Sequence, residues 1–194
     1  RSGAFLSISL ASSAFFINKN DMIISTYSGC NQTSHITDFR LRVSLICHYV
    51  MNRFIESNYI YNKVQIDVHL KKMEEHEFGV TWPEGLEEET IEKINKNHIK
   101  IYINSLMLKD EYKFFRTLVH ELVHAKQYIL KELCYRKHQM CWKGIPSGFV
   151  IGEDLRLDAY YDLPWEIEAF GREEGLMVMF NAFYKEFQES YEKN

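Results

Sequence analysis

Residues 117–127 read TLVHELVHAKQ, and they carry the pattern H-E-x-x-H at positions 120 to 124. Residues four apart lie on one face of a helix. His120 and His124 can therefore offer imidazole nitrogens to one ion, and Zn²⁺ accepts such ligands at about 2.0–2.1 Å. Glu121 lies one residue further on, so it points to the side of that ion. From there a carboxylate can take a proton from a metal-bound water without becoming a ligand itself.

The neighbours of the motif place it in a buried helix. Phe114, Phe115, Leu118, Val119, Leu122, Val123, Ala125 and Ile129 surround it, and a helix apolar nearly all round belongs in a core. Asp110 opens the element, which is expected to run from roughly 110 to 133 without Gly or Pro. Two histidines and a glutamate in such a helix need partners, because unpaired buried polar groups are costly. One metal satisfies all three. The competing reading is an accidental H-E-x-x-H whose histidines are satisfied by ordinary hydrogen bonds.

A third ligand is required, with one position left for water. The extension H-E-x-x-H-x-x-G-x-x-H fails, because the chain has Gln127 and Leu130 where Gly and His would stand. His138, in a polar stretch after the helix, could fold back. The remaining route is a carboxylate from a later helix, where LPWEIEAF (163–170) offers Glu166 and Glu168. These two are about 100° per residue apart around a helix, so only one faces the metal squarely. Glu166 shares its face with Ala169, Phe170 and Glu173, and a small residue one turn away leaves room for close packing. The order of preference is Glu166, then Glu168, then His138. Taken alone, the two glutamates are an ordinary acidic first turn that complements the helix dipole.

The rest of the chain supplies an α+β frame. A helix is expected from Thr37-Asp38 to Asn58, with Leu41, Leu45, Val50, Phe54 and Ile55 at near-helical spacing. Val64 to Leu70 alternates apolar and polar residues, as does Ile99 to Asn104, and both read as half-buried strands. Phe78 to Trp82 is a further strand candidate, ended by Pro83. Glu84 to Glu89 reads as a solvated acidic loop and first helical turn. Residues 141–151 read as loop with short strand pieces around Trp142 and Phe149–Ile151. A final helix starts at Pro164, whose missing N–H costs nothing at a first helical position. Gly171 and Gly175 weaken its middle, and Leu176, Met177, Phe180, Phe183, Tyr184 and Phe187 give its later half an apolar side. The sum is a small mixed or antiparallel sheet packed with helices. Residues 37–194 are taken as one domain and residues 1–36 are left unassigned.

Composition narrows the function classes. The chain has 194 residues, 46% hydrophobic and 26% charged, enough for one well-buried domain and tight for two. The net charge is -4 and no Lys/Arg block stands out, so a broad phosphate-binding face is not indicated. No run of about eighteen apolar residues exists, so no membrane span is expected. Cys30, Cys47, Cys134 and Cys141 form no C-x-x-C knuckle and read as mostly buried thiols in a reducing compartment, with a local Cys134–Cys141 bridge as the alternative. Ala4 to Ile17 reads either as the remnant of a signal h-region or as a strand. The sequon at Asn31 matters only in a secreted chain. The expected location is the cytoplasm or host-cell interior, with secretion left open.

LVHELVHAKQY, Trp142 to Gly144 and PWEIEA together resemble the gluzincin-type zinc peptidases. In these, a glutamate from a downstream helix completes H-E-x-x-H, in several families three residues before an alanine, as Glu166 stands before Ala169. More closely, residues 60 to 180, roughly, resemble compact metallopeptidase-like proteins common in phages and other viruses, similar in style to SprT-like and ImmA/IrrE-type proteins. SprT-like proteins complete their site with a third histidine, a part that would fall to His138 here. The resemblance implies a zincin-like domain with one strand edge beside the metal. Strand 99–104 directly precedes the metal helix and is the natural candidate for that edge, the alternative being a strand of the core.

The resulting expectation is a zinc metallopeptidase acting on a peptide or protein, with zinc on His120, His124 and Glu166 and with Glu121 as base. Tyr160, Tyr161 and His138 are candidate donors to the tetrahedral oxyanion. Asp158, Asp162 or Glu173 would orient a ligand histidine. A zinc-stabilised binding or regulatory protein without turnover is the alternative. A DNA-associated protease ranks last, since Lys93–Lys100 and Lys131–Lys143 are only modest basic clusters.

Overall fold

A computed structural model describes residues 23–27, 34–86, 94–136, 139–150 and 156–191. The architecture is α+β, with two small sheets and a layer of helices. Strand β1 (Ile23–Tyr27) leads to helix α1 (Ser34–Phe54), the single turn α2 (Asn58–Tyr61) and strands β2 (Gln65–Lys71), β3 (Gly79–Glu84) and β4 (Asn95–Asn104). A 3₁₀ turn (Ser105–Lys109) then feeds α3 (Glu111–Ile129). A meander of β5 (Leu133–Arg136), β6 (Gln139–Trp142) and β7 (Ile145–Pro146) follows, and short α4 (Leu157–Tyr161) and long α5 (Pro164–Tyr191) close the chain.

The larger sheet has the order β1-β2-β4-β3. β1, β2 and β4 run parallel, and β3 lies antiparallel to β4. Strand 99–104 is therefore interior, paired on both sides, and the expectation that it forms the edge beside the metal helix is corrected. The edge is β3. Its sequence carries the reason in Pro83, which has no N–H for a central ladder and is confined to edges and bulges. Pro83 does not end the strand. It pairs with Ile99, and the register slips only between Pro83 and Glu84.

Helix α3 packs on β3 and β4 on one side and on α5 on the other, with α1 also against it. Every residue from Leu118 to Ile129 is buried, which accounts for a helix apolar nearly all round. Asp110 caps its start, its Oδ1 accepting from the Lys113 N–H at 3.1 Å. The helix ends four residues short of the expected 133. Lys131 adopts φ 62°, and the N–H groups of Lys131 and Glu132 return to the carbonyls of Tyr128 and Gln127. That pairing is a Schellman stop, which usually takes glycine and here takes lysine, so no sequence signal marked it.

Helix α1 begins at Ser34, a turn before Thr37-Asp38, and ends at Phe54. The Asp38 carboxylate accepts from the Tyr184 hydroxyl of α5 at 3.3 Å and so bonds across to another helix. Asn58 opens α2 where it was expected to close α1, because Ser57 is extended. Phe149 and Val150 form no strand, while the Phe149 carbonyl accepts from the Met140 N–H at 2.8 Å. Ile151, residues 87–93 and most of residues 1–36, including Ala4 to Ile17 and the sequon, lie outside the described residues. β6 turns into β7 through Lys143 and Gly144, both at positive φ, the backbone a two-residue hairpin needs. Cys134 and Cys141 face each other across β5 and β6 as free thiols, and Cys47 is a buried free thiol. Among the described residues no helix is long and apolar enough to cross a membrane.

Candidate metal centre

α3 presents His120 and His124 one turn apart, and the first turn of α5 delivers Glu166 opposite them. His120 Nε2 lies 3.1 Å from His124 Nε2. The Glu166 carboxylate reaches both, Oε2 to His120 Nε2 at 3.3 Å and Oε1 to His124 Nε2 at 3.4 Å. Among the described residues these three form the one His/Cys/Asp/Glu group close enough to hold an ion. Two ligands on one tetrahedral Zn²⁺ are about 3.3 Å apart, given metal–ligand bonds near 2.05 Å. The two Nε2 atoms lie close to that edge, and each lies at a like distance from one of the two Glu166 oxygens, with one donor atom from every residue within 4.8 Å of the others.

The protons of the imidazoles are already assigned by their other nitrogens. His120 Nδ1 donates to Glu173 Oε2 at 3.1 Å, and His124 Nδ1 donates to Gln127 Oε1 at 2.9 Å. In the neutral rings both Nε2 atoms are then acceptors. An ion that displaced the Nε2 protons would find two imidazole nitrogens and a carboxylate within reach of one another, and Glu166 Oε2 is buried without a hydrogen bond of good geometry. Such an arrangement calls for a cation, and the donor set of two histidines and a glutamate suits zinc.

The charges respond accordingly. Burial would lower the pKa of His120, but its close contacts with the Glu166 and Glu173 carboxylates and the charge of Glu121 raise it to about 10. His124 is likewise raised against its burial, chiefly through Glu166. Glu166 is held down to about 2, its burial outweighed by both histidines. These shifts describe a pocket of carboxylates that attracts positive charge.

Glu121 is buried beside the three ligands and is not one of them. The Thr81 hydroxyl of β3 donates to its Oε2 at 2.7 Å and also contacts its backbone carbonyl at 3.1 Å. Gly79 makes the close approach of β3 possible, because a Cβ there would lie 2.8 Å from Glu121 Oε1 and 3.0 Å from its Cγ. Burial raises the pKa of Glu121 above its ordinary value, against the pull of His124 and His120. A raised carboxylate is the better proton acceptor near neutral pH.

The other candidates separate clearly. Glu168 turns away from the three ligands and bonds Lys126 at 2.9 Å, Gln127 at 3.1 Å and Arg172 at 2.9 Å. His138 lies outside the described residues. Tyr160 lines the same cavity as Glu121 and Glu166, and burial with those two charges raises its pKa, so its hydroxyl keeps its proton. Tyr161 packs on Phe170, which in turn packs on His120 with ring centroids 4.4 Å apart. Of the three acids considered as orienters, Glu173 takes the part, and Arg116 pairs with its other oxygen. Asp158 pairs with exposed Arg156, and Asp162 is exposed at the end of α4.

Three functional positions escaped the sequence reading. Gln127 registered only as a missing glycine, although it stands three residues after His124 on one helix face, a spacing at which side chains meet. Its Nε2 donates to the Trp165 carbonyl and Glu168, which fixes the amide so that Oε1 receives His124. Thr81 and Gly79 meet Glu121 only through β3, and no local pattern marks them. The chain matches no family model, no curated protein and no solved structure.

Proposed function

We propose that the chain is a zinc-dependent metallopeptidase of the gluzincin kind, with His120, His124 and Glu166 as ligands and Glu121 as general base. One observation carries this reading. Two imidazole nitrogens and the Glu166 carboxylate come together closely enough to hold one ion, while the fourth polar group, Glu121, is held beside them and left out of that set. A purely structural metal site has no use for that buried carboxylate.

A bound zinc would lower the pKa of a coordinated water towards about 7 and polarise a substrate carbonyl. The protein's own part is positional. Thr81 occupies Glu121 Oε2, which leaves Oε1 to take a proton from the attacking water and return it to the leaving amine nitrogen. Glu173 and Gln127 keep both imidazoles turned with Nε2 inward. Tyr160 stays protonated and stands by Glu166 and Glu121, a suitable donor to the developing oxyanion. β3 presents its unpaired side along the same cavity, and an extended peptide can add there as a further strand.

The test is metal content and peptide cleavage in the wild type and in Glu121→Gln. The expected outcome is about one zinc per chain in both and cleavage only in the wild type, a loss of roughly 10²–10⁴-fold in the variant. Substoichiometric zinc after purification without chelators would remove the proposal. Full zinc with no cleavage in either protein would leave a zinc-stabilised binding protein.

A further inference from the structure

The cavity at the metal centre has two unlike sides. On the His120 side a wide cleft is rimmed by charged groups, among them Lys72, Glu75, Lys113 and Arg116. On the His124 side a separate cavity of about 220 Å³ opens behind Glu121 and Glu166. Beyond the β3 edge and the metal-site side chains, its walls include Tyr128, Leu133, Met140, Phe149, Leu163 and Trp165. The β5–β6 hairpin supplies Leu133 and Met140, and the entry to α5 supplies Leu163 and Trp165. Phe149 and Trp165 meet with ring centroids 6.2 Å apart, and the main-chain bond from Met140 to Phe149 holds that wall against the hairpin.

We infer that this cavity receives one large apolar side chain, aromatic or long aliphatic, of an extended peptide, at the residue next to the bond brought to the metal. The inference rests on the metallopeptidase reading above and names its substrate class. Size comes first. An apolar cavity of about 150 Å³ binds benzene, and sites for whole drug-sized ligands run from about 300 Å³ upward. A cavity of 220 Å³ fits a single bulky side chain and little more. Chemistry comes second. Six of its lining residues are apolar or aromatic, and the ionisable groups that also line it, Glu121, His124 and Glu166, belong to the metal site, so a charged side chain seated among the six would lose its water without a partner there. An acidic one would also pass the Glu121 and Glu166 carboxylates at the mouth. Position comes third. Gly79, Val80, Thr81 and Trp82 of the β3 edge line the same cavity, and a peptide pairing with that edge turns alternate side chains to one face.

Zinc-loaded full-length protein is titrated calorimetrically with acetohydroxamate and with a succinyl hydroxamate carrying a benzyl group, and its zinc is measured. Peptides that differ only in Phe, Leu, Ala or Asp at the residue beside the cleaved bond are assayed in parallel. The benzyl compound is expected to bind about 10- to 100-fold more tightly, and the Phe and Leu peptides to exceed Ala by a similar factor, with Asp below Ala. Met140→Trp, which fills the cavity, is expected to bring the hydroxamate ratio close to one. Leu163→Phe is a milder filling that should lower the ratio in the same direction. A wild-type ratio near one, with zinc retained and acetohydroxamate bound, overturns the pocket and leaves the metallopeptidase reading standing. A protein that holds no zinc overturns both.

Discussion

Replacing Gly79 by alanine tests whether Glu121 works from the position described. The added Cβ would meet Glu121 Oε1 at 2.8 Å, Glu121 Cγ at 3.0 Å and Thr117 Cγ2 at 3.0 Å. The first contact is about 0.6 Å inside ordinary van der Waals distance, which begins near 3.4 Å. Glu121 has little freedom to yield, since Thr81 holds Oε2 at 2.7 Å. Either the carboxylate rotates off that bond or β3 moves away from α3. Overpacking of this kind costs about 1–3 kcal/mol, while alanine in a strand recovers roughly 0.5–1 kcal/mol over glycine. Net stability should therefore fall by at most about 2.5 kcal/mol, by the same two figures. Displacement of a catalytic group by a fraction of an ångström is far more costly to the reaction, on the order of 10²-fold for 1 Å. The expected result is stoichiometric zinc, a modestly lowered Tm and kcat/KM reduced by about 10- to 100-fold. Gly79→Ala with kcat/KM within about twofold of wild type, a change of under 0.5 kcal/mol in the barrier, would refute the placement of Glu121 as the base.

Further outcomes follow from the groups around the ligands. Gln127→Ala and Glu173→Ala each free one Nδ1, so each should weaken zinc binding by about 10–100-fold, read by competition with a chelator. Unchanged affinity in both would show that these side chains do not orient the imidazoles. Glu168→Gln should weaken zinc binding less than Gln127→Ala, because Glu168 reaches the histidines only through Gln127, whose amide the Trp165 carbonyl also holds. On the sheet, His98 bonds Asp67 at 2.7 Å and Glu84 at 3.0 Å. Burial lowers its pKa, but those two carboxylates outweigh burial and raise it above 6.5. Its contribution is therefore fully present below the unfolded value and fades as pH rises through the folded one. The stability gap between wild type and His98→Gln, from urea unfolding, should be larger near pH 5.5 than near pH 9. An equal gap at both would exclude the charged pairing.

The local parts of this protein are written in single stretches of chain. A repeat of 3.6 residues places His120 and His124 on one face whatever the rest does, and Pro164 starts α5 wherever that helix lies. The α+β class, the strands expected at 64–70 and 99–104 and found as β2 and the longer β4, and the buried nature of α3 follow from periodicity in the same way. Tertiary packing decided the rest. Glu166 and Glu168 share one turn, and only the docking of α5 on α3 sends one to the histidines and the other to Lys126. The parallel pairing of β1 and β2 joins strands separated by α1, a non-local choice that the composition of neither strand records. The motif marks out Glu121 as a base, but what holds it comes from β3, some forty residues earlier, where Thr81 donates and Gly79 leaves room. Side-chain periodicity is a property of a segment, whereas close approach belongs to two segments at once, and only the folded chain specifies it.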